Sequence, residues 1–140
     1  MDKKILIWLD DLRNPFDNGM AWAKLFSPVK IDSTLEVIWL KNYTELKEWI
    51  EEHGIPYAIC FDHDLGDFVN GKEKNGYDCA RLIGEYCIKN NISIPLYAIQ
   101  SSNPAGKKNI DLYLKNFQKF ICSIKHDNKS KHKNKWKKRF

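Results

Sequence analysis

The sequence predicts an α/β domain: a parallel sheet of four or five strands with helices on both faces. Three observations predict it. Short, continuous apolar runs recur along the 140 residues, as interior strands buried on both faces require. Segments with apolar residues at helical spacing separate most of these runs. Two of the runs end directly in acidic clusters, and ligands of open α/β sheets collect where strands end.

In chain order, Ile5-Leu6-Ile7-Trp8-Leu9 is the first strand and runs into Asp10-Asp11. The stretch from Arg13 to Pro28 carries Asn14-Pro15, Asn18-Gly19 and Ser27-Pro28 and reads as a loop with one helical turn at residues 20–26. Residues 37–40 form a second strand. Asn42 offers a helix cap with Glu45 three residues on, and Leu46, Trp49 and Ile50 give an apolar stripe that stops at His53-Gly54. Residues 55–61 are the third strand, followed by Asp62-His63-Asp64-Leu65-Gly66. Residues 68–74 read as a polar loop, after which Asn75 caps a helix over 76–89 with Leu82, Ile83, Tyr86 and Cys87 inward. Residues 94–99 are the fourth strand. Asn103 as cap and Pro104 at the first helical position start a helix with Ile110, Tyr113, Leu114 and Phe117 on one face. Residues 120–124 offer a fifth strand. Strands alternating with helices imply right-handed crossovers.

Length and 43% hydrophobic content suit one globular domain. No window approaches the ~18 uninterrupted apolar residues of a membrane span. The chain enters its first strand without an export-signal pattern, so a cytoplasmic location is expected. Cys60, Cys79, Cys87 and Cys122 form no Cys-x-x-Cys pair, and three lie in apolar periodic segments, which predicts reduced structural thiols. The net charge of +5 is unevenly spread. Residues 125–140 hold eight basic residues against Asp127 alone, a net of +7, which leaves residues 1–124 at −2. The division expected is therefore a domain over 1–124 and a basic tail over 125–140. The tail is either a phosphate-backbone contact for nucleic acid or a solubilising end.

If the first and third strands are neighbours, Asp10, Asp11, Asp62 and Asp64 converge with His63 at one sheet edge. Like charges at such range repel unless a cation lies among them or a carboxyl keeps its proton. A divalent, oxygen-preferring ion resolves the repulsion, Mg²⁺ or in its place Mn²⁺, with Asp10, Asp11 and Asp62 as ligands. Aspartates after strands also serve as turn formers and caps, which accounts for some of the four. Asp62 and Asp64 share a side of an extended segment, Asp64 either orienting His63 or completing the metal shell. His63 suits general acid or base work, since an unperturbed imidazole titrates near ~6.5. Ser101, Ser102 and Asn103 leave the fourth strand just before a helix N-terminus, a place that favours phosphate, although Asn103 also serves as the helix cap. Arg13 either clamps a phosphate or neutralises Asp10 or Asp11. Gly106 either admits a ligand to the backbone or is a weak helix position. Trp8, Trp22, Trp39 and Trp49 read as core or loop anchors; Trp136, in the tail, is the better stacking candidate.

Taken together, these blocks resemble a receiver domain, and more closely the divergent cyclic-phosphate processing receiver family. The likeness is carried by Leu9-Asp10-Asp11-Leu12-Arg13-Asn14-Pro15, Phe61-Asp62-His63-Asp64-Leu65-Gly66, Gly76-Tyr77-Asp78 and Gln100-Ser101-Ser102-Asn103-Pro104-Ala105-Gly106, and it spans about residues 5–117. It implies a flavodoxin-like, three-layer sandwich. It also implies processing of cyclic phosphate in nucleotides or at RNA ends, in RNA repair or in conflict between phages and bacteria. The family pattern places a histidine where this chain has Gln100, so a two-histidine scheme does not carry over. Lys125 stands about where an ordinary receiver carries a lysine after its fifth strand, and is equally the first residue of the basic tail. Three functions are consistent with the residues: a metal-dependent phosphodiesterase or cyclic phosphodiesterase, a signalling receiver phosphorylated on Asp62, and a non-catalytic nucleotide or nucleic-acid binder that sequesters its ligand.

Overall fold

The computed structural model describes residues 3–137, with side chains described through residue 124. Four parallel strands form the main sheet: β1 (Lys4–Leu9), β2 (Leu35–Leu40), β3 (Ala58–Phe61) and β6 (Leu96–Ile99), in the order β2-β1-β3-β6. Between them run α1 (Asp17–Phe26), α2 (Tyr43–His53), the short strands β4 (Asp67–Val69) and β5 (Lys72–Lys74), and α3 (Gly76–Lys89); α4 (Pro104–Lys137) follows β6. β1 pairs with β2 from Lys4↔Leu35 to Leu9↔Leu40 and with β3 at Leu6↔Ala58, Ile7↔Ile59 and Trp8↔Cys60. β1 and β3 are thus neighbours, and both acidic clusters leave the same edge.

The pleat of the two central strands sorts their side chains into two cores. Ile7, Leu9, Ile59 and Phe61 face α2, α3 and α4, where they meet Leu46, Ile50, Ile83, Ile110, Leu114 and Ile121. The alternate residues face the other way: Trp8 and Cys60 pack with Ala23, Met20 and Phe26 of α1, while Leu6 and Ala58 pack with Val29 and Ile31. Helices on both faces make the three layers of a flavodoxin-like sandwich. Cys60, Cys79 and Cys87 are buried and Cys122 is exposed, and none of them forms a disulfide among the described residues. No described helix is long and apolar enough to cross a membrane.

Three caps act as the sequence indicates. Asn42 accepts the Glu45 N–H at 2.9 Å, Asn75 and Asp78 form a reciprocal capping box, and Asn103 accepts the Gly106 N–H at 3.0 Å. In α1 the helical turn is preceded by three left-handed residues, Asn18, Gly19 and Met20, so the regular helix occupies about the span expected.

Two expectations are corrected. Residues 120–124 are not a fifth strand but part of α4. Ile121 continues the buried row of Ile110 and Leu114, and no Gly or Pro interrupts the chain between them, so the helical period runs on. Lys125 therefore does not follow a fifth strand. Its side chain, like Trp136 and the rest of the basic segment, lies outside the described side chains. Residues 68–74 are not an irregular loop: β4 and β5 pair as an antiparallel hairpin. Asn70 and Gly71 at its tip both have positive φ, 54° and 76°, as a type I′ turn requires.

α3 and α4 approach closely at Gly84, where a Cβ would stand 2.9 Å from Phe117 and 3.1 Å from Tyr113. Gly84→Leu should overpack this contact and lower unfolding free energy by roughly 1–3 kcal/mol, read as a reduced urea midpoint at unchanged slope.

Candidate functional site

Asp10 is the first residue beyond β1, and it is 1% exposed. Its Oδ1 accepts the N–H groups of Leu12 and Arg13, both at 2.9 Å, and its Oδ2 accepts the Gln100 side-chain amide at 3.1 Å. The Asp10 carbonyl accepts the Trp39 indole N–H at 2.7 Å. Asp62, first beyond β3, accepts the His63 N–H on Oδ1 at 2.9 Å. One carboxylate oxygen each from Asp10, Asp11 and Asp62 falls within 4.8 Å of the other two.

This trio has no direct counter-ion among the described residues. Among the described residues, no Lys, Arg or His nitrogen lies within 4.0 Å of these carboxylates; the ion pairs are His63–Asp64, Arg81–Glu85 and Lys115–Asp111. The electrostatic consequence appears at Asp62. Burial, then the charges of Asp10 and Asp11, push its pKa up to about 6, against a smaller opposing effect of the His63 N–H and of Arg13. Burial and the neighbouring Asp10 and Asp64 raise Asp11 as well. Three converging, uncompensated carboxylates fit a hard divalent cation, which would remove the repulsion and use oxygen ligands alone. Gln100 Oε1 is buried and has no hydrogen-bond partner among the described residues, while its Nε2 braces Asp10 and the Leu9 carbonyl.

His63 is 15% exposed, and its Nδ1 lies 2.8 Å from Asp64 Oδ1. The Asn103 amide nitrogen stands 3.4 Å from the same Nδ1. When Nδ1–H is donated to Asp64, Nε2 is the ring atom left to exchange a proton. Two glycines hold this segment. A Cβ on Gly76 would fall 2.0 Å from the Asp62 carbonyl oxygen, and the Gly76 N–H donates to the His63 carbonyl at 2.7 Å. A Cβ on Gly106 would fall 2.4 Å from the His63 ring. Gly106 thus makes room for an imidazole of this chain, a role the sequence reading did not include.

The other expected residues are placed as follows. Asp64 lies outside the trio, 64% exposed, and turns to His63. Ser101 Oγ accepts the Asn103 N–H at 3.0 Å, and Ser102 is exposed at the same sheet edge. Arg13 makes no ion pair with Asp10 or Asp11; its Nη1 donates to the Gln100 carbonyl at 3.0 Å and its guanidinium lies over Trp22. Gln100 as a brace and Gly76 as a close-contact position were missed. Their signals were a polar residue ending an apolar strand and a glycine at the start of a helix.

A parallel sheet with paired acidic residues after its first strand and an aspartate after the neighbouring third defines a receiver-like domain. The chain matches the cyclic-phosphate processing receiver domain over residues 5–116 and belongs to that family. A solved structure described as a yeast Spc42 trimeric coiled coil, amino acids 181–211, fused to another structure aligns with a TM-score of 0.51 at 13% identity. The alignment covers 96% of this chain and 87% of that one, a likeness of fold alone. Comparison with curated proteins gave no match.

Two outcomes follow from the geometry. In the absence of cation, the folded pKa of Asp62, about 6, exceeds its ordinary 3.8. The stability contributed by its proton is full below about 3.8 and is lost as pH rises through about 6. Mg²⁺ should therefore raise the melting temperature more at pH 8 than at pH 5, where it competes with that proton, and EDTA should abolish the difference. Gly106→Ala should leave the protein folded but displace His63. In NMR spectra the His63 ring resonances should move while those of the distant, exposed His53 stay in place.

Proposed function

We propose that this protein hydrolyses cyclic phosphate, in nucleotides or at RNA ends, with a divalent cation held by Asp10, Asp11 and Asp62. The observation that carries the reading is His63. An imidazole fixed through Nδ1 by Asp64 sits beside the acidic trio, so a proton-transfer group and three carboxylates able to hold a cation share one sheet edge. Mg²⁺ or Mn²⁺ supplies Lewis acidity toward phosphoryl oxygens when bound. The chain's own residues do the rest. His63 Nε2 takes a proton from water as the water adds to phosphorus. One ester P–O bond of the ring opens, and the departing oxygen receives the proton from the same nitrogen. Asp64 keeps the ring in its tautomer. Ser101, Ser102 and the α4 N-terminus at Asn103 receive non-bridging oxygens, with Arg13 as a second positive contact.

Support for hydrolysis over phospho-acceptance comes from the same edge. His63 and Asp64 stand immediately beside Asp62, whereas a phospho-acceptor needs its carboxylate clear for attack.

The test is turnover of a panel of 2′,3′-cyclic mononucleotides, cyclic oligonucleotides and RNA ending in cyclic phosphate, in Mg²⁺ and in EDTA. His63→Ala should reduce turnover by roughly 10²–10⁴-fold and retain cation binding. Asp62→Asn should weaken both. Stable labelling of Asp62 by acetyl phosphate without turnover would replace this reading with a signalling receiver. Nucleotide binding with neither activity would make the protein a ligand-sequestering binder.

A further inference from the structure

Of the four tryptophans read as core or loop anchors, Trp22 stands outside the core clusters. Trp8 is fully buried, and Trp39 and Trp49 pack against the core. The indole N–H groups of Trp8 and Trp39 are committed to the carbonyls of Arg13 and Asp10. Trp22 remains 37% exposed, among Leu12, Phe16 and Leu25, which are exposed by 83%, 51% and 72%. Exposed apolar side chains concentrated in one short segment mark a binding surface more often than a neutral one.

The position of this segment gives the surface a ligand. The Arg13 guanidinium carbon lies 4.8 Å from the centre of the Trp22 ring, and Nη1 is fixed on the Gln100 carbonyl. Phe26 stacks with Trp22 at 6.0 Å and an interplanar angle of 9°. Arg13 is also tied to the trio directly, its backbone N–H donating to Asp10 Oδ1 at 2.9 Å. Arg13 therefore joins the acidic trio on one side to the indole on the other.

We propose that Trp22 and Arg13 form a stacking platform for the nucleobase of a ligand whose phosphate lies at the acidic trio. The proposal rests on the phosphate reading above and narrows it to nucleoside phosphates. Every base has a π face, so the platform accepts purines and pyrimidines alike. Its fixed guanidinium adds a cation to the stack.

Calorimetric titration in Mg²⁺ tests it, with adenosine 2′,3′-cyclic phosphate and the base-free glycerol 1,2-cyclic phosphate as probes. The wild type should bind the nucleoside compound more tightly by roughly 5–150-fold, the range for one stacked base. Trp22→Ala should bring its affinity down to that of the glycerol compound, whose own affinity stays unchanged and so reports an intact fold. Trp22→Leu, which keeps apolar bulk beside Phe26, should lose the discrimination too, and Trp22→Phe should keep most of it. Equal affinities in the wild type, an equal loss for both ligands in the variants, or no binding of either would overturn the platform. Turnover measured on the same samples separates the two readings. Discrimination without hydrolysis leaves the platform standing and removes the enzyme; hydrolysis of both compounds without discrimination does the reverse.

Discussion

Asp10 is the constraint on which the site depends. A carboxylate at 1% exposure is costly unless its oxygens are bonded, and here the bonds come from separate parts of the fold. Leu12 and Arg13 supply backbone N–H groups from the loop after β1, Gln100 supplies an amide from the end of β6, and Trp39 reaches across from β2 to the Asp10 carbonyl. The same residue therefore closes the β1 loop into a turn and ties three strand ends together. Arg13, folded back by that turn, then reaches the Gln100 carbonyl and stacks on Trp22. Moving Asp10 would disturb the acidic trio, the arginine and the aromatic surface together.

A second constraint is steric. The Asp62-His63 segment passes between the first turns of α3 and α4, and at each crossing a side chain as small as alanine would collide with it. Both helices must begin with bare backbone at that point. Their caps, Asn75 and Asn103, set where they begin, so helix capping and placement of the imidazole are one geometric problem. Burial, and after it the neighbouring carboxylates held at short range, push the Asp62 pKa up to about 6, and a bound cation would relieve that repulsion.

Much of this was legible in the residues, because the signals were local. Continuous apolar runs, asparagine caps and carboxylates placed directly after strands determine strand positions, helix starts and the sheet edge where the acids meet. What was not legible depended on tertiary contacts or on weighing rival local signals. The run from Phe120 to Ile124 suits a strand by composition, yet only Ile121 continues a buried helical row, and the absence of any turn residue before it decides for helix. The hairpin at Asp67–Lys74 had its Asn70-Gly71 signature in plain view, but its polar flanks gave no apolar alternation to match. Trp22 reads as a core or loop anchor by type, and only the fold shows it stacked on Phe26 outside the core cluster that Trp8 occupies. For Gly106, the object that needs the space is 43 positions away in the chain, at His63.

Because α4 continues where a fifth strand was expected, β6 pairs with β3 alone among the described residues and ends the sheet. An open strand edge is a template on which further chains can add, the first step toward aggregation. This edge limits that hazard in several ways. β6 is only four residues long and is preceded by Pro95, which has no amide hydrogen to donate. Lys107 and Lys108 of α4 line the groove beside it, together with Tyr97, Ala98 and Ile99, so an incoming strand would have to displace hydrated ammonium groups. The missing strand is thus compensated by solubility: charge and brevity protect the edge that a fifth strand would have covered.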